Sequence, residues 1–177
     1  NWAGNQQSRP TVIEKPSSES EVIALVNRAV SNKQRVKVVG SGHSFTGIAV
    51  PDEVMIDLSK LNQIVDIDRT RGLVTVQAGI VLSDLNAHLE AQGLSMPNLG
   101  DVTYQTLAGA VSTSTHGTGL QRTGLAAQID SFRLVTAAGE TMVCSTEQNQ
   151  NVFHSNVGYQ RNDSIVLILS LDMFPII

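Results

Sequence analysis

Apolar residues near the start of the chain recur at the spacing of an amphipathic helix. The repeat runs through Val22, Ile23, Val26, Ala29 and Val30. Ser18 precedes this repeat and Glu21 follows three residues later, which is the capping-box signature of a helix N-terminus. The helix is predicted to end near Asn32, and short apolar runs at 11–15 and 35–39 predict a strand on each side. A strand–helix–strand unit of this kind favours a small parallel sheet.

Further along, the period of the pattern changes from helical spacing to strand spacing. Residues 53–58, 63–68 and 72–78 alternate between apolar and polar side chains, which predicts strands with one buried face. The residues at 69–72 are typical of a hairpin turn. A second helix is indicated by leucines at 82, 85 and 89, with Gly93 as its C-terminal cap.

The last third of the chain predicts more antiparallel pairing. Residues 133–135 and 140–144 are expected to form a hairpin around Gly139, and 165–174 a final strand. That strand is so apolar that it is either buried or left as an exposed edge. The predicted fold class is α+β, with a small parallel β-α-β lobe followed by a more antiparallel sheet lobe with helices. The boundary between the lobes is expected near residues 58 and 59 of the 177.

Composition narrows the possible classes of function. Sixteen acidic and 12 basic residues give a net charge of −4, which argues against non-specific nucleic-acid binding. No apolar run approaches the roughly 18–20 residues of a transmembrane segment. The single cysteine, Cys144, excludes an internal disulfide and an all-cysteine metal site. With a polar N-terminus unlike a signal peptide, these features favour a cytoplasmic protein.

The first candidate site is the loop Gly40-Ser41-Gly42-His43-Ser44, directly after a predicted strand. Two glycines that flank a serine allow a sharp turn in which successive N–H groups point inward and bind an anion without a basic side chain. The loop lacks the lysine of a P-loop and the third glycine of the Rossmann fingerprint. A plain tight turn therefore stays open as the alternative.

His43 on this loop has several possible roles. It is a hydrogen-bonding surface residue, or it acts as a general base or nucleophile. A metal ligand is disfavoured because no HxxxH or HExxH spacing occurs. A Ser–His–Asp hydrolase is poorly supported because Ser41 lies in Gly-Ser-Gly rather than Gly-x-Ser-x-Gly.

The second candidate site is the segment 98–119, which is rich in small and hydroxylated residues. Between Val102 and Leu125 the one charged side chain is Arg122. Such a composition lets the backbone approach a ligand closely and suits a large polyhydroxylated molecule with a diphosphate. The alternative is a tightly packed helix followed by a Ser/Thr-rich loop.

Taken together, the two loops resemble a known family. Gly-Ser-Gly-His-Ser-Phe at 40–45 and Ala-Gly-Ala-Val-Ser-Thr-Ser-Thr-His-Gly-Thr-Gly at 108–119 resemble the PCMH-type FAD-binding domain of the vanillyl-alcohol oxidase superfamily. Asn-Trp-Ala-Gly-Asn at 1–5 and Pro-Asn-Leu-Gly-Asp at 97–101 resemble its sugar-lactone and alditol oxidase branch, which includes gulonolactone and arabinonolactone oxidases. The resemblance covers residues 1 to about 158.

The resemblance implies FAD as the cofactor, with the first loop around the diphosphate and the second along the diphosphate, ribityl chain and isoalloxazine. It also implies His43 as the hypothetical point of covalent attachment to the flavin. His116 is expected either to hydrogen-bond the flavin or to brace its loop. The implied cofactor-binding residues are Gly40, Ser41, Gly42, His43, Ser44, Gly100, Asp101, Thr106, Gly109, Thr113, Ser114, Thr115, His116 and Gly117.

The reaction implied by the resemblance is oxidation of a CH–OH group of a sugar lactone or polyol. Hydride passes to flavin N5, and oxygen or another acceptor reoxidises the flavin. In the family the substrate is bound by a C-terminal domain, which is expected to be absent from these 177 residues, so no catalytic residue is predicted. The alternative is a flavin- or nucleotide-binding module without activity of its own. Relatives associate with membranes through other parts of their chains.

Two further expectations concern the ends of the chain. Residues 157–163 read Val-Gly-Tyr-Gln-Arg-Asn-Asp where the family has a glycine-rich apolar stretch near the adenine side of FAD. This departure is expected either to weaken FAD binding or to force the cofactor along a different route. Trp2 is expected to pack against the first lobe rather than contribute to a site.

Overall fold

The computed structural model describes residues 1–118, 124–156 and 164–176, and these form three sheets, of three, two and five strands, with four α-helices. The strands are β1 (Val12–Glu14), β2 (Val36–Val39), β3 (Val54–Asp57), β4 (Ile64–Asp68), β5 (Leu73–Gln77), β6 (Leu94–Ser95), β7 (Ile129–Thr136), β8 (Thr141–Ser145), β9 (Ser164–Asp172) and β10 (Phe174–Pro175). The helices are α1 (Glu19–Ser31), α2 (Leu82–Glu90), α3 (Leu107–Ser112) and α4 (Gln150–Asn156). The predicted α+β class is confirmed.

The small lobe is the predicted strand–helix–strand unit with one more strand. Its sheet has the order β1-β3-β2, and both pairs are parallel. Helix α1 begins after Ser18, whose hydroxyl accepts a hydrogen bond from the Glu21 amide at 3.2 Å. The Glu21 carboxylate accepts from the amide of Ser17 at 2.7 Å, one residue earlier than the standard capping box. Asn32 caps the other end of the helix, as predicted.

The large lobe is an antiparallel sheet of five strands in the order β4-β5-β9-β7-β8. The turn between β4 and β5 is closed by Asp68, whose carboxylate accepts from the amides of Thr70 and Arg71, and by Gly72 at a φ of 68°. Strands β6 and β10 form a separate antiparallel pair of two residues each. These short strands carry no alternation that a sequence pattern can show.

Strand β9 lies in the centre of the large sheet, between β5 and β7, so it is buried rather than an exposed edge. Its side chains alternate between fully and partly buried, with Leu167, Leu169 and Leu171 on the buried face. Val166 and Ile168 on the other face also pack against the core. Apolar residues therefore occupy both faces, which is why the strand shows little polar alternation.

The two lobes share one hydrophobic core and are joined by polar contacts. Residues of α1 and β3 belong to the same buried cluster as those of β5, β7 and β9. The guanidinium of Arg133 on β7 lies 2.7 Å from the carboxylate of Glu19 in the first turn of α1. Gly139, in the β7–β8 turn, approaches Asn27 so closely that a Cβ there would lie 2.2 Å from Oδ1. Within the described part of the chain, no helix has the length and apolarity needed to cross a bilayer.

Candidate functional site

A cleft of about 230 Å³ opens where the two lobes meet. One wall is the glycine loop that leaves β2, and the opposite wall is α3 with the residue before it. The ends of β3 and β5 and the start of β9 complete the cleft. Its lining is Val38, Val39, Gly40, Ser41, Gly42, His43, Ser44, Ile48, Ala49, Leu58, Ala78, Gly79, Gln105, Thr106, Ala108, Gly109, Ser112, Thr113, Ser164, Ile165 and Val166.

The first glycine loop lines the cleft with unpaired amide groups, while two of its carbonyl groups accept hydrogen bonds from the N-terminal residues. Among the described residues, none accepts a hydrogen bond from the amide N–H groups of residues 41–44. The carbonyl of Gly42 accepts from the amide of Trp2 at 2.8 Å, and that of Ser44 accepts from the Asn1 side chain at 2.7 Å. Gly42 has a φ of 70°, which a residue with a Cβ rarely adopts. Successive amide groups without another acceptor are what an anion-binding turn requires.

The two walls approach each other most closely at Gly40. A Cβ on Gly40 would lie 2.3 Å from Oγ1 of Thr106, and one on Gly109 would lie 3.0 Å from the same atom. Thr106 is buried, and its backbone forms a bridge with Val81 just before α2. The glycines therefore let the first loop and α3 approach one buried hydroxyl from two sides.

The electrostatics of the cleft suit a negatively charged group. Among the residues that the structure describes, no aspartate or glutamate is part of its lining. Asp57, which precedes the lining residue Leu58, is paired with Lys15 at 2.7 Å. Burial opposes ionisation of Asp57, but hydrogen bonds from Lys15 and Ser59 outweigh that effect and lower its pKa. The nearest carboxylate on this strand is thus neutralised by a partner instead of repelling an anion.

One polar atom beside the cleft has no partner in the described structure. Oε1 of Gln105 is buried and accepts no hydrogen bond, although Gln105 contributes to the lining. A buried acceptor without a donor is uncommon because it loses its hydration without compensation. This atom, the free N–H groups and the glycines that keep the cleft open fit a polyhydroxylated ligand with a diphosphate.

The structure divides the predicted residues of the second loop into two groups. Thr106, Gly109 and Thr113 line the cleft with all five residues of the first loop. The second group lies outside that lining: Gly100, Asp101, Ser114, Thr115, His116 and Gly117. Their role toward a cofactor stays a prediction.

In the second group, the chain segments at residues 100–101 and 114–117 lie close together. A Cβ on Gly117 would lie 2.2 Å from the carbonyl oxygen of Leu99, and one on Gly100 would lie 3.0 Å from Cγ2 of Thr115. Nδ1 of His116 lies 3.0 Å from the carbonyl of Gly117, in an exposed position. Both glycines therefore allow close approach of two chain segments. In this structure the imidazole of His116 contacts its own loop.

Trp2 packs against the first lobe, as expected, but it does so at the loop that lines the cleft. Its side chain is 71% exposed, and its ring stacks on that of His43 with centroids 5.6 Å apart and planes at 25°. The edge of Phe45 completes the contact, at 6.4 Å and 86°. A tryptophan beside a chain end shows no periodicity, so the sequence carried no signal for this position.

The residues at the ends of β5 and β9 were also missed. Gly79 directly follows β5, and Ser164 and Ile165 begin β9, yet all three line the cleft. A glycine after a strand, in Gln-Ala-Gly-Ile at 77–80, was an available signal for Gly79. The departure at residues 157–163 lies outside the described residues.

Comparison with known proteins identifies the family of the chain. The family model described as "FAD binding domain" matches residues 10–145. L-gulono-1,4-lactone dehydrogenase of Mycobacterium tuberculosis is 46% identical over 145 residues, which are 82% of this chain and 34% of that protein. L-gulonolactone oxidase of Scyliorhinus torazame is 38% identical over 175 residues, 99% of this chain and 40% of that protein.

A third relative, D-arabinono-1,4-lactone oxidase of Yarrowia lipolytica, is 37% identical over 158 residues, 87% of this chain and 30% of that protein. The chain thus spans about a third to two fifths of the length of these relatives. The family match covers the small lobe and most of the large one, including both walls of the cleft. The chain therefore belongs to the FAD-binding domain family, and its cofactor is FAD.

Proposed function

We propose that this FAD-binding domain serves an oxidoreductase that oxidises a CH–OH group of a sugar lactone or polyol. The observation that carries the proposal is the cleft at the lobe junction, with its free N–H groups and no carboxylate lining, in a chain whose relatives are named lactone oxidases and dehydrogenases. FAD, when bound, supplies the two-electron acceptor for such an oxidation. Substrate binding is proposed to fall to a second domain.

The residues of this chain are proposed to bind and orient the cofactor. The amides of residues 41–44 would hold the negative charge of the diphosphate, since they have no other acceptor among the described residues. Thr106 and Thr113 add hydroxyl groups on the opposite wall. The outer group at residues 100–101 and 114–117 is proposed to extend this surface beyond the cleft.

Activity on a substrate is tested with the chain loaded with FAD under anaerobic conditions. We expect L-gulono-1,4-lactone to bleach the flavin absorbance near 450 nm only when a substrate-binding domain is also present, because this chain supplies no identified base. Bleaching by L-gulono-1,4-lactone and not by a polyol such as xylitol would assign the substrate class. Absence of bleaching in the presence of both domains would favour the alternative, a flavin-binding module without its own activity.

We further propose His43 as the site of a covalent bond to the flavin. His43 lines the cleft and is partly buried, and no hydrogen bond to either ring nitrogen is present among the described residues. A neutral imidazole nitrogen that is free of other partners is able to act as a nucleophile. The ring is held on one side by Trp2.

The covalent bond is tested by acid precipitation of the FAD-loaded protein. We expect flavin to remain in the washed pellet of the original protein and to move to the supernatant for His43→Ala. His88→Ala, which changes an exposed histidine on α2 outside the cleft, is the matched control and should retain its flavin. Flavin in the supernatant for the original protein would refute the covalent bond and leave the FAD site intact.

The extent of the domain is also a proposal. We take residues 1–177 as one FAD-binding unit with lobes at about 1–58 and 59–177, supported by the hydrophobic cluster that both lobes share. A cytoplasmic location is proposed on the composition, since the single cysteine is buried and forms no disulfide.

A further inference from the structure

We propose that the N-terminal segment, residues 1–6, belongs to the flavin site because it holds the first glycine loop in place, and that Trp2 is a positioning residue for His43. The inference rests on the FAD site proposed above. The family match begins at residue 10 and therefore does not include this segment. The case rests on three kinds of contact that the segment makes with the first glycine loop.

The first kind of contact is ring stacking. Trp2 lies nearly parallel to His43, with ring centroids 5.6 Å apart. No hydrogen bond to the imidazole is present in the described part of the chain, so this stack is what sets the plane of the ring. Phe45 meets Trp2 edge-on and limits its rotation. Stacked aromatic pairs are stabilising beyond the area that they bury.

The second kind is hydrogen bonding to the carbonyl groups of the loop. Nδ2 of Asn1 donates to the carbonyl of Ser44 at 2.7 Å, and Nδ2 of Asn5 donates to that of Phe45 at 2.9 Å. The same Nδ2 of Asn1 donates to Oδ1 of Asn5 at 2.8 Å, which joins the two asparagines. Because these carbonyls are held by the segment, the N–H groups of the loop are left for the cleft.

The third kind is backbone contact at the left-handed residue of the loop. The amide of Trp2 donates to the carbonyl of Gly42 at 2.8 Å, and a Cβ on Gly42 would lie 3.6 Å from Cα of Asn1. The segment therefore rests on the turn that gives the loop its concave shape. Exposure of the Trp2 side chain at 71% excludes a role in the hydrophobic core. Among the described residues, the ring contacts of Trp2 are with His43 of the site loop and with Phe45 directly after it.

The test compares Trp2→Ala, Trp2→Phe and a control, Phe174→Ala, which removes another exposed aromatic ring outside the cleft lining. Affinity for FAD in the initial complex, before any covalent bond forms, is measured by flavin fluorescence titration, and the His43 ring is observed by NMR without FAD. We expect Trp2→Ala to raise the Kd about three- to tenfold, as the loss of one aromatic pair implies. Trp2→Phe should recover most of the affinity, and the control should match the original protein.

The NMR measurement separates this inference from the proposed function. We expect the His43 ring protons to shift in Trp2→Ala, because the ring current of the only tryptophan is lost, and to shift less in Trp2→Phe. Unchanged His43 signals, or an unchanged Kd in Trp2→Ala, would overturn the inference. Failure of the original protein to bind FAD would instead refute the proposed function, and the NMR result would still decide whether Trp2 positions His43.

Discussion

Replacement of Gly79 by alanine is expected to destabilise the protein by about 3 kcal/mol, at the upper end of what an inserted methyl group usually costs in a packed interior. A Cβ at this position would lie 1.9 Å from the carbonyl oxygen of Leu58 and 2.9 Å from that of Leu61. Both obstacles are backbone atoms, so no side-chain rotation relieves the overlap. The amide of Gly79 also donates to the Leu61 carbonyl at 2.8 Å, and that bond would break as the segments separate.

Urea unfolding followed by circular dichroism measures this effect. Gly47→Ala is the matched control, because a Cβ there meets only the end of the Gln6 side chain at 3.5 Å and the residue lies outside the cleft lining. Its free energy of unfolding should change by less than about 0.5 kcal/mol, as for other surface substitutions. Equal unfolding midpoints for the two variants would contradict the close approach of the β3 and β5 ends.

Replacement of Gly40 by alanine is expected to raise the Kd for FAD about tenfold while the melting temperature changes little. A new Cβ would overlap Oγ1 of Thr106, and the loop is the more mobile partner because Thr106 is buried in front of α3. Displacement of the loop moves the N–H groups of residues 41–44 away from the position in which they face the cleft. Overpacking of this size costs about 1–3 kcal/mol, and about 1.4 kcal/mol is a tenfold change in affinity.

A double variant makes the result specific. Thr106→Ala removes the atom that Gly40→Ala would overlap, so in the double variant the second change should cost little beyond Thr106→Ala alone. Isothermal titration calorimetry with FAD gives all four affinities of the cycle when each variant also carries His43→Ala, which prevents the proposed covalent bond. Fully additive losses in the double variant would show that the effect of Gly40→Ala does not pass through Thr106.

The sequence predicted most of the secondary structure and the first loop for identifiable physical reasons. Helix α1 is predictable from the sequence because one of its faces is apolar and a serine caps its start. Both are local properties of the chain. The same holds for the glycine loop, whose conformation depends on Gly40 and Gly42 themselves. The prediction that the chain binds FAD depended on both loops together, because only the pair resembles a known family.

What the sequence could not predict depends on contacts between distant residues. Trp2 meets His43 across some forty positions, and no periodic pattern records such a pairing. The sequence did not indicate Gly79, because a side chain there is excluded by the distant carbonyl of Leu58 and not by the local turn. The division of the second loop into a cleft-lining part and an outer part likewise depends on where α3 lies against the first loop.

The central position of β9 has a consequence for the order in which the chain is made. Val76 on β5 pairs with Leu169, and Phe132 on β7 pairs with the same residue from the other side. During synthesis at roughly 5–20 residues per second, β5 and β7 leave the ribosome before the strand that joins them. Until β9 emerges, each has one open edge available to other chains. Strand β9, the last of the five to be made, thus joins the hairpins β4–β5 and β7–β8 into one sheet. Its first residues complete the lining of the cleft at the same time.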